Sequence, residues 1–164
     1  MRRVAVLAVI LVMALSGVAQ AKADVAKVTG TYSYFVLDEV GNPSLFRSVS
    51  LSAQATDPVK GTWSYTRPSD ISFGTVTCLR VDGADAWLAG PATFSGGGLA
   101  AVFIWVHDGG TPGSAGDAAF LWGSDPGETL DDMEALCENK TSSPWYELDP
   151  FTVVSGNLTI HPAR

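Results

Sequence analysis

Leu99–Gly123, LAAVFIWVHDGGTPGSAGDAAFLWG, is the stretch on which the reading of the fold turns. It opens with an unbroken apolar run, LAAVFIWV, far short of the roughly 20 residues that a membrane-spanning helix needs. The run therefore reads as a strand that is buried on both faces or packed beneath a helix. A second apolar run, DAAFLWG, begins at Asp117. Between the two, glycines at 109, 110, 113 and 116 with Pro112 supply the backbone angles of a wide turn, and Asp108 and Asp117 stand at its two ends, able to accept hydrogen bonds from free backbone amides. Strand, turn and strand make a hairpin.

The same reading extends in both directions. GTYSYFVL, from Gly30, sets Tyr32, Tyr34 and Val36 against Thr31, Ser33 and Phe35, and GTWSYT, from Gly61, sets Trp63 and Tyr65 against Thr62, Ser64 and Thr66. A period of two is the mark of a half-buried strand. Further strands are expected in LFRSVSLSA from Leu45, ISFGTVTCLRV from Ile71, DAWLAGPATF from Asp85 and FTVVSGNLTIH from Phe151, with Gly, Pro, Asn and Asp clusters punctuating them. About eight sequential strands with short turns predict an all-β fold, an antiparallel meander forming a barrel or sandwich, which pairing of TGTYSYF with GNLTIHP would close. One stretch reads as a helix near 126–138. There Asp125 is the expected cap, Pro126 the first helical residue, and Leu130, Met133, Leu136 and Cys137 the inward face. Asp131, Asp132 and Glu138 fall on its solvated side.

The amino terminus reads as a secretory signal peptide, residues 1–23. Arg2 and Arg3 precede an apolar run, and Ala19, Ala21 and Ala23 follow at the spacing that signal peptidase accepts. Cleavage is expected after Ala21 or Ala23, leaving residues 24–164 as one secreted β-domain, extracellular or periplasmic. No cysteine precedes Cys78, so no lipid anchor is expected, nor any membrane span after cleavage. Removal of 1–23 takes three of the ten Lys and Arg and none of the 17 Asp and Glu, which leaves seven basic residues and a net charge of −10. Such a chain repels phosphates, which excludes nucleic acid as an expected partner. Cys78 and Cys137, the two cysteines of an exported chain, are expected to form a disulfide, with buried thiols as the other reading.

The functional readings are three. Asp108, Asp117 and loop carbonyls can chelate calcium, a cation that takes six to eight oxygen ligands, although the loop lacks the dense acidic spacing of known calcium loops; no other cofactor is expected. The rings of Tyr32, Trp63, Tyr65 and Trp105 can line a site for a small molecule or glycan, or they can fill a core. Trp145 or Tyr146 in SPWYELDP is a candidate for an exposed ring, and a protein surface stands beside small molecule and glycan as an expected partner. The third reading is a metal-dependent, hydrolase-like site built from His107, Asp108, Asp117 and His161, which requires the last strand to approach the central one. No nucleophile motif such as G-x-S-x-G is present. The leading expectation is a non-enzymatic extracellular binding or structural module, with the hydrolase as the alternative.

GTVTCLRVDGADAWLAG, VHDGGTPGSAGDAAF and VVSGNLTIH together resemble a pattern of uncharacterised secreted bacterial all-β domains. That pattern has a V-T-C-L-x-V-x-G strand pair, a V-x-D-x-G-x-P-G…D loop and a terminal G-N-[LI]-x-[IV]-H strand. The resemblance covers roughly Gly61 to His161 and implies a secreted β-domain; it carries no catalytic residues. The acidic helical stretch Asp131 to Glu138 departs from the pattern.

Overall fold

A computed structural model describes residues 24–37, 43–68, 70–95, 99–110, 116–141, 151–152 and 155–163. Its strands are β1 (Lys27–Leu37), β2 (Pro43–Gln54), β3 (Lys60–Arg67), β4 (Asp70–Thr75), β5 (Cys78–Asp82), β6 (Asp85–Phe94), β7 (Leu99–His107), β8 (Ala118–Gly123), β9 (Phe151–Thr152) and β10 (Ser155–His161). The helix α1 (Leu130–Glu138) lies between β8 and β9. Every pairing is antiparallel, in the order β10-β1-β2-β3-β4-β6-β7-β8-β9, with β5 also on β6.

Two strands are split in halves. β4 pairs with the Ala92–Phe94 end of β6 and β5 with its Asp85–Ala89 end, so the two are one bent strand interrupted at Val76 and Thr77. The bend requires close backbone approach. A Cβ on Gly74 would lie 2.0 Å from the carbonyl oxygen of Pro91, and one on Gly90 would lie 2.0 Å from that of Thr75, so no larger residue fits at either crossing. Likewise β9 pairs with β8 and β10 with β1, which places neighbouring pieces of one chain segment at the two ends of the strand order. The sheet curls accordingly. Gly30 opposite Leu158 and Thr29 opposite Thr159 are the TGTYSYF–GNLTIHP pairing expected from the sequence.

The concave side holds one core, drawn from alternate residues: Val28, Tyr32 and Tyr34 of β1, Val49 and Leu51 of β2, Val102, Ile104 and Val106 of β7, Leu158 and Ile160 of β10. A second core lies on the opposite face of β6, β7 and β8, where Trp87, Phe103 and Phe120 meet Met133 and Cys137 of α1. β7 is thus covered on both faces, and Phe103 and Ile104 are each fully buried. This double cover is the physical cause of its unbroken apolar sequence. On β1, β2 and β3 the convex face is open and carries exposed hydroxyls at Thr29, Thr31, Ser50, Ser52 and Thr62, which produces the alternation.

The helix begins later than expected. Gly127, with φ of 102°, closes a turn in which the Glu128 amide donates to the Asp125 carbonyl at 3.0 Å, so Asp125 and Pro126 belong to that turn. The cap is Thr129, whose hydroxyl accepts from the Asp132 amide while the Asp132 carboxylate accepts from the Thr129 amide, a reciprocal capping box. The Thr129 hydroxyl also donates to that carboxylate and, with the amide, holds it below the ordinary value of 3.8. At the other end the Cys78–Cys137 disulfide ties α1 to β5 across 59 residues. The Arg80–Glu138 pair and the Lys140–Asp82 pair, the latter at 2.7 Å, flank it.

Candidate ligand cavity

Inside the curled sheet, at the end where β3 turns into β4, lies a cavity of about 220 Å³. Trp63 and Tyr65 of β3, Ser72 of β4, Ala92 and Phe94 of β6, Val102 of β7, and Leu121 and Gly123 of β8 line it. The register explains its shape. Tyr65 stands opposite Ser72 and Trp63 opposite Gly74, so the two large rings of β3 face the two smallest side chains of β4.

This end of the sheet reverses the usual sorting of polar and apolar groups. Ser72 is buried, whereas its neighbours Ile71 and Phe73 are each 52% exposed. On β2, Arg47 takes the inward parity of Val49 and Leu51 while Phe46 stands outside against Phe35, with ring centroids 5.5 Å apart. The Arg47 guanidinium lies over the Tyr65 ring, 5.4 Å from its centroid, and donates to the Tyr65 hydroxyl. Burial pushes the phenols of Tyr32, Tyr34 and Tyr65 above their ordinary value of 10.0, and the charge of Arg47 pulls Tyr34 and Tyr65 partly back. All three are neutral phenols near pH 7.

Several buried polar atoms here lack a hydrogen-bond partner among the described residues: Trp63 Nε1, Ser72 Oγ, Arg47 Nε and Tyr32 Oη. Trp87 and Trp105 leave their indole nitrogens in the same condition in the outer region, away from the cavity lining. A buried polar group without a partner costs about 1–3 kcal/mol, and among the first four those of Trp63 and Ser72 belong to residues that line the cavity, so each calls for a ligand or an ordered water.

Of the four rings singled out in the sequence, Trp63 and Tyr65 line the cavity and Tyr32 is fully buried in the same core. Trp105 does not join them. It has the parity of Phe103, packs against the outer core and stacks on His107 at 6.4 Å, because Ile104 and Val106 take the inward positions of β7. Arg47, Ser72 and Phe94 were not singled out, and the signal for two of them is the inverted alternation of Phe46-Arg47 and Ile71-Ser72-Phe73. Residues 143–150, with Trp145 and Tyr146, lie outside the described residues.

The acidic loop lies at the opposite end of the sheet. Asp117, buried at the start of β8, accepts from the Gly109 amide at 2.9 Å. Asp108 accepts from the Gly110 amide at 2.8 Å and, with its other oxygen, from the Ile160 amide of β10 at 3.1 Å. Three of the four carboxylate oxygens are thus held by backbone N–H groups, and Asp108 ties the end of β7 to β10. His107 Nδ1 lies 3.0 Å from Asp85, and His161 ends β10 opposite Lys27. Among the described residues no group of three or more His, Cys, Asp or Glu side chains is placed to hold a metal ion. Asp108 brings the end of β7 to β10 one residue from His161, while residues 111–115, whose carbonyls the calcium reading requires, lie outside the described residues.

A larger depression of about 630 Å³ runs over the convex face between β1 and β4, lined mostly by serine, threonine and glycine. It is shallow and water-facing, where hydroxyls need no partner beyond solvent. Among the described residues no helix is long and apolar enough to cross a membrane. No family model, no curated protein and no solved structure matches the chain, so no residue role is carried over from a relative.

Proposed function

We propose that this protein is a secreted, non-enzymatic binding module whose curled sheet holds a small, largely apolar ligand. The observation that carries the reading is the 220 Å³ cavity, whose lining residues include Trp63 and Ser72, two residues with a buried polar atom that has no partner among the described residues. Apolar walls with a few placed polar groups are the ordinary constitution of a small-molecule site. The size suits a single ring, since a dry cavity of about 150 Å³ takes benzene. The acidic surface and the signal-like amino terminus support an extracellular or periplasmic setting.

Gly123 provides the test. A Cβ there would meet only Phe94 Cζ, at 3.9 Å, so a larger side chain enters the cavity without striking backbone. Acetophenone, a ring with one carbonyl acceptor, is expected to bind with saturation below ~1 mM, and Gly123→Leu is expected to weaken it tenfold or more by roughly 1.4 kcal/mol while the far-ultraviolet spectrum is kept. Absence of saturable binding by acetophenone and by other single-ring compounds, charged or neutral, would contradict the reading.

A further inference from the structure

The polar atoms at the cavity end of the sheet are unequal in kind. An indole N–H and a guanidinium N–H can only donate, whereas serine and tyrosine hydroxyls can do either. Trp63 Nε1 and Arg47 Nε are both buried and unpartnered among the described residues, and so are Ser72 Oγ and Tyr32 Oη. The carboxylate of Asp70, whose charge is felt at Tyr65, is engaged by Arg67 and Ser95. Arg47 donates to the neutral phenol of Tyr65 and is in none of the ion pairs formed among the described residues. Among the described residues, therefore, this arginine on the inward face of a strand has no carboxylate partner.

We infer that the cavity takes a small apolar acid, whose ring or short chain lies among Trp63, Phe94, Val102 and Leu121 and whose carboxylate meets Arg47. The inference rests on the cavity reading above and adds the charge of the ligand. A carboxylate accepts from several donors at once, which suits an end of the sheet rich in donors, and a partly buried guanidinium binds it by charge-assisted hydrogen bonds. Tyr65 links the two parts, since its ring lines the cavity and its hydroxyl accepts from Arg47. The inverted sorting on β2 and β4 has the same explanation: polar groups face inward where the head of the ligand lies. A neutral ligand would leave the guanidinium unpaired, and a basic one would be repelled.

The probes are phenylacetate and its neutral counterpart 2-phenylethanol, titrated into the purified protein at pH 7 by calorimetry. Phenylacetate is expected to bind roughly tenfold tighter or better, as one charge-assisted hydrogen bond implies. Arg47→Met is expected to abolish that preference while leaving 2-phenylethanol within about threefold of its original affinity. Equal affinity for the two probes, or a preference that survives Arg47→Met, would overturn the inference and leave the cavity reading intact. Binding of neither probe, nor of acetophenone, would overturn both. A measurement on the unsubstituted protein guards against loss of fold in the variant: the carboxyl carbon resonance of bound, 13C-labelled phenylacetate should titrate at lower pH than in water. A value unchanged or raised would mark a carboxylate with no cation beside it.

Discussion

At the scale of single residues, Tyr32 and Asp108 show opposite uses of a polar group. Tyr32 is fully buried with no partner for its hydroxyl among the described residues, so the hydroxyl was desolvated without compensation. Tyr32→Phe is predicted to leave stability unchanged or raise it by about 1 kcal/mol, read as a higher urea midpoint at constant m. Asp108 holds two backbone amides, one of them on β10, and Asp108→Ala is predicted to cost about 1–3 kcal/mol in the same measurement. A midpoint for Asp108→Ala within error of the parent would show the loop to be free of that tie. The sequence made the loop carboxylates conspicuous but not their destination, because an aspartate beside glycines satisfies an amide and a cation with the same oxygens. Ser72 and Arg47 were hidden for a different reason: alternation gives the two faces of a strand, and only the opposing strand decides which face is inside.

At the scale of elements, α1 is held by a cap and a covalent tie. Thr129→Ala removes the capping hydroxyl and is predicted to cost about 1 kcal/mol, whereas Asp125→Ala should leave the start of the helix in place. Circular dichroism and urea melts of the two variants separate the cap in the structure from the one expected at Asp125. Replacing Cys78 and Cys137 by serine reopens a loop of 59 residues and is predicted to lower stability by roughly 2–4 kcal/mol, with the difference vanishing under reducing conditions. The β7–β8 hairpin and the helix face were legible because double cover and a 3.6-residue period write themselves into side-chain polarity. The start of the helix was not, since Asp125-Pro126 suits a cap and a turn equally and Gly127 settles the matter through backbone conformation.

At the scale of the whole molecule, the interior phenols give the protein an alkaline limit. Burial raises Tyr32 and Tyr34 above the unfolded value near 10.0. A raised folded value means that the neutral form is favoured in the fold, so this contribution is complete below pH 10, where the unfolded chain is also protonated, and is lost as pH climbs toward the folded values. Stability is predicted to fall above about pH 10, less steeply in Tyr32→Phe, with urea midpoints between pH 8 and 11 as the check. The meander and the β1–β10 pairing follow from strand number, short turns and matched alternation, all present in the sequence, although that pairing leaves the sheet a curled half-barrel with β10 and β9 at its two ends. The cavity does not follow, because it arises where Trp63 and Tyr65 meet Ser72 and Gly74 across a register that no single strand encodes.

The indole N–H resonances of the tryptophans, followed by proton–nitrogen correlation during titration with phenylacetate, test the central claim most directly. Trp63 lines the cavity, whereas Trp87 and Trp105 belong to the outer face and Trp122 Nε1 donates to Glu128 at 3.2 Å. The account predicts a saturable shift of the Trp63 resonance, with those of Trp87, Trp105 and Trp122 nearly still. An unmoved Trp63, or a dominant shift at Trp87 or Trp105, would contradict it and place any binding outside the curled sheet.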